Sequence, residues 1–328
     1  MDKQILLSIC LPTYNQPQDF KRTLLSIISQ INEKNQQEIE IVIGDNSTNQ
    51  ETEDLVKKDF NLPYIHYYRH GTNLGVDRNI LFLIEKAQGE YIWLFGDDEM
   101  KPSAIDYVLN ILKQDNNLSL IWVNFEGFDP KDLSRPYIYS SEDLLLEDGN
   151  EVLKKTGAYI CFISTLIMKR KELLDIDKND IKKFIGSGLM TLYLPLFLLS
   201  QKERKFFIIN QSLIIGHFTP REKIEWDHFQ IFGINFYFVA HHFREKFKKK
   251  TIKKLQQKTF SMVWRDIFLG WLKGYNTPKG KFKKLLKLYW RFPQFWFIVP
   301  LFFMPKFMIR LIYFVKKRWQ NRLKVILN

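Results

Sequence analysis

The sequence has few cysteines and no segment typical of an exported or membrane-spanning protein. Its 328 residues include only two cysteines, Cys10 and Cys161, and both lie in apolar runs. They predict reduced, buried thiols in a reducing compartment, rather than a disulfide framework or a thiolate metal site. The apolar stretch at the N-terminus is too short for a signal peptide, and we interpret it as the first strand.

Glycine-rich phosphate loops are also missing. Neither the GxxxxGK[ST] pattern nor the GxGxxG pattern occurs, which excludes a P-loop site and a dinucleotide-binding site. There is no internal repeat and no low-complexity linker. With 45% hydrophobic residues, the chain can bury the core of one large domain or of two domains.

Acidic residues are scarce in the C-terminal region. From His241 to the end there are 23 Lys and Arg against 2 Asp and Glu, a net charge of +21. The preceding residues hold 26 of the 49 basic side chains and 34 of the 36 acidic ones, a net charge of −8. This division predicts a boundary near residue 241 and an anionic partner for the basic tail.

Apolar runs and helical patterns alternate through the first part of the chain. Strand-like runs cover 6–11, 39–43, 65–69, 89–98 and 118–125, and helical patterns cover 20–31, 50–60, 77–87 and 103–114. This order predicts an α/β fold with a mainly parallel sheet flanked by helices. Further on, the sequence predicts a strand over 158–168, a helix over 189–199 and a strand over 206–215. We therefore divide the chain into 1–125, 126–240 and a basic, aromatic, helical region over 241–328.

One stretch, GEYIWLFGDDEMK at Gly89–Lys101, carries the clearest chemical signal. Its apolar run is typical of a strand covered on both faces, and it ends in Asp97 and Asp98. Pro102 then opens the next helix. Ligands of open α/β sheets bind at the carboxyl ends of the strands, and carboxylate oxygens suit a divalent cation that holds phosphates. An exposed turn rich in aspartate is the alternative interpretation.

Three more polar loops follow predicted strands and should lie along the same edge of the sheet. They are Pro12-Thr13-Tyr14-Asn15, Asp45-Asn46-Ser47 and Asn73–Asn79, NLGVDRN. With the acid pair they offer an aromatic ring, a carboxylate, an arginine and amides, which are the groups that a nucleoside diphosphate needs. The alternatives are ordinary packing for Tyr14, helix capping for Asp45 and pairing with Asp77 or Glu85 for Arg78.

The order PTYN, strand-then-DNS, NxGxxRN and (F/L)GDDE resembles the family 2 glycosyltransferases of the GT-A fold. These enzymes transfer a sugar from a nucleotide-diphosphate sugar, and the resemblance covers roughly residues 5–125. The nucleotide-binding residues that it implies are Pro12, Tyr14, Asp45, Asn73, Arg78 and Asn79. It also implies that Asp97 and Asp98 hold Mg²⁺ or Mn²⁺, although Phe95 occupies the place of the usual first acid of the family's Asp-x-Asp motif.

The acceptor side of the site is harder to predict. Family members that invert the anomeric centre take a carboxylate base from a Glu-Asp pair ahead of an acceptor-side helix. The corresponding stretch here, FIGSGLM at 184–190, contains no acid. Asp180, Glu225 and Asp227 are the candidate bases, and each could instead be a solvated surface acid. His217 follows a predicted strand and could contact the diphosphate or the metal, or could be structural.

The tail combines lysine clusters with an uncharged aromatic run, Phe292–Pro305. This run is shorter than the ~20 residues of a transmembrane helix and is interrupted by prolines. Because Trp favours the headgroup level and Lys and Arg favour anionic lipid, the tail predicts monotopic binding to an anionic membrane surface. A helical domain with a basic solvated face is the alternative. The density of the apolar run argues against a nucleic-acid groove.

These observations predict a metal-dependent glycosyltransferase, peripheral on the inner face of the cell membrane. It would move a sugar from a nucleotide-diphosphate sugar to a glycan or lipid-linked acceptor in surface polysaccharide assembly. Two alternatives stay open. A catalytically impaired nucleotide-sugar-binding or membrane adaptor would explain the missing Glu-Asp pair. A sugar-nucleotide nucleotidyltransferase is disfavoured, since the first strand lacks a glycine-rich basic loop.

Overall fold

The computed structural model of the protein describes residues 5–127, 133–138, 142–217, 227, 229–260 and 282–305, with 307, 308, 311 and 314. By its internal contacts the chain divides into two units. The first unit comprises Met1–Lys223 and Val239–Ile252, and the second comprises Ile224–Phe238 and Lys253–Asn328. The three-part division predicted from the sequence cuts the chain elsewhere and stays a prediction.

The first unit is built on a nine-stranded sheet. Its strands are β1 Leu7–Thr13, β2 Ile39–Asp45, β3 Ile65–Arg69, β4 Tyr91–Leu94, β5 Glu99–Met100, β6 Leu118–Glu126, β7 Leu144–Leu146, β8 Leu166–Lys169 and β9 Lys205–Ile215. They are ordered β3-β2-β1-β4-β8-β6-β9-β5, with β7 also paired to β9. Of the described strands, six run in one direction, and β5, β7 and β8 run in the opposite direction. The predicted α/β class with a mainly parallel sheet is confirmed.

Helices alternate with the strands in the first unit and continue in the second. They are α1 Pro17–Ile28, α2 Glu51–Asp59, α3 Val76–Lys86, α4 Ala104–Gln114, α5 Gly149–Thr156, α6 Arg170–Leu174, α7 Lys178–Lys182, α8 Met190–Leu199, α9 Phe236–His242, α10 over 249–260, α11 Phe282–Tyr289 and α12 Pro293–Phe303. In α1 the buried positions Phe20, Leu24 and Ile27 recur at helical spacing. In α8, by contrast, eight of the ten residues are buried, so this helix lies inside the core.

Strands β1 to β4 bring the predicted polar loops to one edge. The strand order reverses at β1, because β2 and β3 lie on one side of it and β4 on the other. The register pairs Thr13 with Asp45 and Asp45 with Arg69, and on the other side Cys10 with Leu94. The loops after these strands therefore emerge together at a topological switch point, where α/β folds bind their ligands.

The predicted strand over 158–168 is wrong for most of its length. Gly157–Cys161 and Ile163–Thr165 are short 3₁₀ helices, and β8 begins only at Leu166. The Thr165 N–H donates to the Phe162 carbonyl at 3.1 Å, a bond that an extended strand could not make. A short apolar run does not distinguish a buried strand from a buried turn, so contacts distant in sequence decide the outcome. The strand predicted over 89–98 is likewise reduced to β4.

The second unit has an aromatic core of its own. Its fully or nearly buried members are Phe229, Ile234, Phe260, Leu285, Tyr289, Phe292 and Phe295. The ring of Phe260 stacks on that of Tyr289 with 4.3 Å between centroids. The Tyr289 hydroxyl donates to the carbonyl of Gly233 at 2.9 Å, which satisfies its polar end. Within the described ranges, no helix is both long and apolar enough to cross a bilayer.

The second unit offers a matched pair of phenylalanines for a test of this core. Phe295 is fully buried, whereas Phe297, two positions along α12, is 84% exposed. We expect Phe295→Ala to lower the free energy of unfolding by about 3–5 kcal/mol, because it leaves a cavity. We expect Phe297→Ala to change it by less than about 0.5 kcal/mol. Urea unfolding of the full chain, followed by tryptophan fluorescence, measures both; equal effects would contradict the assigned core.

Candidate active site

The loops after β1 and β2 are bonded to each other. The Asn15 backbone N–H donates to the Ser47 hydroxyl at 2.9 Å, and the Asn15 side-chain oxygen accepts the Thr48 N–H at 3.0 Å. Asn15 itself has a positive φ of 50°, a conformation that asparagine tolerates. The preceding residue, Tyr14, is 37% exposed. Its ring therefore lies on a fixed loop at the switch point and is accessible for stacking.

Asp45 ends β2 and is fully buried. One carboxylate oxygen accepts the Ser47 N–H at 2.7 Å, and the other accepts the Tyr67 hydroxyl at 2.5 Å. Burial, together with this hydrogen bond, raises the pKa of Tyr67 far above its usual range. Helix α2 takes Gln50 as its N-cap residue, so Asp45 does not cap it. Asp45 shapes the loop from inside, and its contact with a nucleotide base stays a prediction.

Two asparagines, Asn73 in the loop between β3 and α3 and Asn79 in α3, fix the start of this helix. The Asn73 side chain accepts the Gly75 N–H at 2.8 Å, and Gly75 has a φ of 82° that favours glycine. The Asn79 side chain donates to the Gly44 carbonyl at 2.7 Å, which ties α3 to the end of β2. A Cβ on Gly44 would overlap the Asn79 side chain. The two asparagines thus hold the first turn of α3, which presents Arg78.

Two neighbouring residues in the first turn of α3, Asp77 and Arg78, have opposite environments. Arg78 is exposed and forms no ion pair with a residue that the structure describes. Asp77 is 3% exposed, and its carboxylate accepts the backbone N–H groups of Gly186 and Gly188, each at 2.8 Å, and of Met190 at 2.9 Å. The alternative pairing of Arg78 with Asp77 is not formed. From the sequence, Asp77 was a candidate only for that pairing, and its contact with 186–190 was not predicted.

The acid pair after β4 is divided between an inner and an outer residue. Asp98 is 1% exposed; one carboxylate oxygen accepts the Ser164 hydroxyl and the other accepts the His217 N–H at 2.9 Å. Burial raises the pKa of Asp98 to about 7, with the neighbouring Asp97 charge acting in the same direction and the Ser164 hydrogen bond opposing it. Asp97 is half-buried and is the more accessible acid.

Helix α1 fixes the turn that carries these acids. The Arg22 guanidinium donates to the Asp97 carbonyl at 2.8 Å and pairs with Glu99 at 3.1 Å. The His217 ring contacts the same Glu99 carboxylate at 2.7 Å. A protein carboxylate therefore already engages one ring nitrogen of His217. The predicted contact of His217 with a diphosphate or metal stays a prediction.

The acid pair fits a cation site that substrate would help to form. Among the residues that the structure describes, no cluster of three or more His, Cys, Asp or Glu side chains is placed to hold a metal. Asp98 is buried with both oxygens hydrogen-bonded, whereas Asp97 is only half-buried, so Asp97 is the acid that a cation could reach. One or two protein carboxylates, completed by substrate phosphates and water, are a usual set for Mg²⁺. Asp97 at a strand end fits that set.

Asp180, one of the candidate bases, is engaged by three donors. Its carboxylate accepts from Tyr193 at 2.7 Å, contacts His242 at 3.0 Å and pairs with Lys183 at 2.9 Å. Partial burial raises its pKa, but these hydrogen bonds outweigh that effect and lower it to about 2. The side chain thereby joins α7, α8 and α9.

Asp227, the other candidate base that the structure describes, lies in the second unit. The Asp227 carboxylate accepts the Gln230 N–H at 2.9 Å, at the start of the π-helix Phe229–Asn235. This contact is typical of a residue that caps a helix. Glu225 lies outside the described residues.

The family follows from the sequence match. The family model described as Glycosyl transferase family 2 matches residues 8–175, slightly more than half of the chain. The chain belongs to glycosyl transferase family 2. The match covers β1 to β4 and the loops that follow them, and it extends to the end of α6.

Two curated relatives are glycosyltransferases. The chain is 27% identical over 227 residues to the abequosyltransferase RfbV of Salmonella typhimurium, a match covering 64% of this chain and 66% of RfbV. It is 27% identical over 202 residues to the poly(ribitol-phosphate) beta-N-acetylglucosaminyltransferase TarP of Staphylococcus aureus, covering 60% of this chain and 58% of TarP. The chain thus spans less than two thirds of the length of either relative.

Solved structures of S. aureus TarS share the fold. The crystal structure of TarS 1-349 superposes with a TM-score of 0.57 at 16% identity, covering 78% of this chain and 70% of that one. Its complex with UDP-GlcNAc gives a TM-score of 0.58 at 15% identity, covering 78% and 71%. The GT-A fold predicted from the motifs is confirmed.

Several residues that hold the site together were not predicted from the sequence. They are Arg22, Thr23, Tyr67, Asp77, Glu99 and Ser164. Thr23 and Ser164 had a detectable signal, since each is a polar residue within an apolar pattern. Such a residue is buried only if it is hydrogen-bonded. The sequence could not identify the partner, because Thr23 donates to a carbonyl 75 positions away, that of Asp98.

The raised pKa of Asp98 predicts a pH dependence of stability. In metal-free buffer, the folded protein keeps a proton on Asp98 up to a pH of about 7, whereas the unfolded chain loses it near the ordinary aspartate value of 3.8. Unfolding therefore becomes easier as pH rises across that window. We expect Asp98→Asn, which mimics the protonated acid, to flatten this slope in urea unfolding measured from pH 4 to 7. Asp59→Asn, which removes a surface carboxylate, should not; an unchanged slope in Asp98→Asn would contradict the assignment.

Proposed function

We propose that the protein transfers a glycosyl group from a nucleotide-diphosphate sugar to a glycan or lipid-linked acceptor in surface polysaccharide assembly. The meeting of four loops at the switch point carries this proposal, because it gathers Tyr14, Asp45, Arg78 and Asp97 at one edge. The names of RfbV and TarP, both glycosyltransferases, support it. So does the solved complex of TarS with UDP-GlcNAc.

Each loop has a role in binding the donor. The exposed ring of Tyr14 stacks on the base, and the exposed guanidinium of Arg78 neutralises phosphate charge, for which its fork of donors is suited. Pro12, Asp45, Asn73 and Asn79 shape the walls of the same site. A divalent cation, Mg²⁺ or Mn²⁺, held by Asp97 would supply Lewis-acid stabilisation of the departing diphosphate. Asp98 and Arg22 keep the Asp97 turn in place.

Transfer forms one bond and breaks one. The acceptor hydroxyl oxygen bonds to the anomeric carbon, while the bond from that carbon to the diphosphate oxygen breaks and the nucleoside diphosphate leaves with the electron pair. The hydroxyl proton passes to a base, which needs a pKa near the working pH to be effective. With three donors and a pKa of about 2, Asp180 is better assigned to positioning α7, α8 and α9. Asp227 stays a candidate base.

The function can be tested even though the identity of the sugar is open. A panel of nucleotide sugars is screened for thermal stabilisation, since a ligand that binds the folded state raises the melting temperature. The donor that stabilises is then incubated with lipid-linked and glycan acceptors, and release of free nucleoside diphosphate is measured. Stabilisation without acceptor-dependent release would favour the adaptor. Synthesis of a nucleotide sugar from a sugar phosphate would favour the nucleotidyltransferase.

Asp97→Asn tests the cation site. We expect transfer to fall by about 100-fold or more, since loss of the cation removes several kcal/mol of transition-state stabilisation. Binding of the donor should lose its dependence on Mn²⁺, measured by titration calorimetry, while binding of the nucleoside monophosphate is unchanged. Asp54→Asn, on the exposed side of α2, is the matched control. Retained Mn²⁺ dependence in Asp97→Asn would rule out this ligand.

We further propose that the second unit binds an anionic membrane surface, with the protein peripheral on the cytoplasmic side. Its large exposed apolar side chains include Trp290, Trp296, Phe297, Phe303, Phe307, Leu311 and Phe314. Exposed basic residues accompany them, including Lys253, Lys254, Lys258, Lys283, Lys284, Lys287 and Arg291. Tryptophan favours the headgroup level, and each Lys or Arg near an anionic surface contributes about 1 kcal/mol. Together these groups match the chemistry of a lipid interface.

The combined variant Trp296→Ser, Phe297→Ser, Phe303→Ser tests the membrane proposal. We expect the wild-type chain to sediment with vesicles of phosphatidylcholine and phosphatidylglycerol, and the variant to bind about tenfold or more weakly, because it loses apolar burial. Leu145→Ser with Leu174→Ser, which changes exposed leucines of the first unit, is the control. High salt should release the wild type only partly, since apolar contacts are not screened. Complete release by salt, or no vesicle binding, would refute the proposal.

A further inference from the structure

Helix α8 lacks a cap of its own. Its N-cap residue, Leu189, makes no side-chain capping hydrogen bond, and the first N–H groups of any helix have no partner within it. The carboxylate of Asp77, 113 positions earlier, accepts the N–H of Met190, the first residue of α8, at 2.9 Å. A negative charge at this end also complements the helix dipole. The carboxylate that caps the N-terminus of α8 is therefore a side chain of α3.

The turn ahead of α8 is built around the same carboxylate. Gly186 and Gly188 have φ angles of +90° and +72°, a region that residues with a Cβ avoid. In this conformation both glycines direct their N–H groups to one oxygen of Asp77, each at 2.8 Å. The turn itself contains Ser187 but no acid. Three backbone donors of one short segment thus depend on a single buried side chain.

The helical turn that contains Asp77 is also connected to the loops of the proposed donor site. Arg78 is the next residue of the same helical turn and is exposed at the switch point. This turn is fixed to the end of β2 through the hydrogen bond from Asn79 to the Gly44 carbonyl. The Leu74 N–H donates to the side chain of Asn46, in the loop after β2, at 3.2 Å. This bond is a second link between the start of α3 and β2. A shift of the first turn of α3 would therefore move Arg78 and the start of α8 together.

We propose that Asp77 is a positioning residue that couples donor binding to the acceptor side. A nucleotide that contacts Arg78 fixes the first turn of α3, and Asp77 then fixes the turn over 186–190 and the start of α8. The acceptor-side segment FIGSGLM has no acid of its own, and its backbone N–H groups donate to Asp77. It touches neither substrate, and it acts through the backbone of that segment. This inference rests on the proposed function, because the coupling requires a donor nucleotide at Arg78.

The test compares Asp77→Ala and Asp77→Asn with a matched control. Asp148→Ala is suitable, because Asp148 is the N-cap of α5 in the same unit and accepts the Asn150 N–H at 2.8 Å. The probe is whichever of UDP, CDP, GDP and dTDP stabilises the wild-type chain most. Calorimetry gives its dissociation constant, and hydrogen exchange with mass spectrometry follows the peptides that cover 184–192, with and without the nucleotide.

We expect the nucleotide to slow exchange over 184–192 several-fold in the wild type and in Asp148→Ala, but not in either Asp77 variant. The dissociation constant of the nucleotide should stay within about twofold of wild type in the Asp77 variants, whereas Arg78→Ala should weaken binding. In the transfer assay, kcat should fall about 100-fold in Asp77→Ala with the donor KM unchanged, because a small misplacement of a reactant costs that much. A merely structural role would leave the nucleotide-dependent protection intact.

Three results would overturn the inference. They are persistence of the nucleotide-dependent protection in Asp77→Ala, loss of nucleotide affinity in that variant as large as in Arg78→Ala, and failure of the wild type to bind any of the four nucleotides. A wild type that binds nucleotide but transfers no sugar would refute the proposed function. The exchange experiment would still decide the role of Asp77, so the two failures are distinguishable.

Discussion

Buried carboxylates that accept hydrogen bonds from the backbone of loops are the interaction on which this site depends. Asp45, Asp77 and Asp98 are 0%, 3% and 1% exposed, and each accepts at least one backbone N–H from a loop. A carboxylate removed from water is costly unless donors surround it, and loop N–H groups are donors that no strand or helix satisfies. Each buried carboxylate therefore gains donors, and the loop N–H groups gain an acceptor. Asp45 and Asp98, which the family resemblance associates with ligands, therefore also determine the shape of nearby loops.

The sequence was most informative where the signal is local. Continuous apolar runs identified β1, β2 and β4, and the polar loops after them emerge at one edge of the sheet, as predicted. The sequence was least informative about which side chains point into the protein and which face solvent. Asp97 and Asp98 are adjacent and chemically identical, yet only Asp98 is buried. Of the neighbours Asp77 and Arg78, Asp77 is buried and Arg78 is exposed. Which of two neighbouring side chains is buried depends on the local backbone geometry and on partners distant in sequence. Ser164, for example, is 66 positions from Asp98.

The second unit shows the same limit for apolar residues. Its composition indicates an aromatic region, but not which rings form the core and which cover the surface. The ring centroid of Phe295 lies 5.9 Å from that of Phe260, while Phe297 on the same helix is 84% exposed. A helix that buries one aromatic face and exposes another has no clear apolar stripe in its sequence. The predicted strand over 158–168 failed for a related reason, since periodicity cannot distinguish two buried conformations.

The chain enters the second unit at Ile224, returns to the first at Val239 and leaves it again after Ile252. The returning segment is part of the core of the first unit, because Phe243 is buried with its ring centroid 5.5 Å from that of Tyr193. During synthesis, the first unit therefore cannot be completed when residue 223 leaves the ribosome. It must wait for residue 252, so part of the second unit emerges while the first unit is still unfinished, and that interval is the one in which a chaperone would be of use.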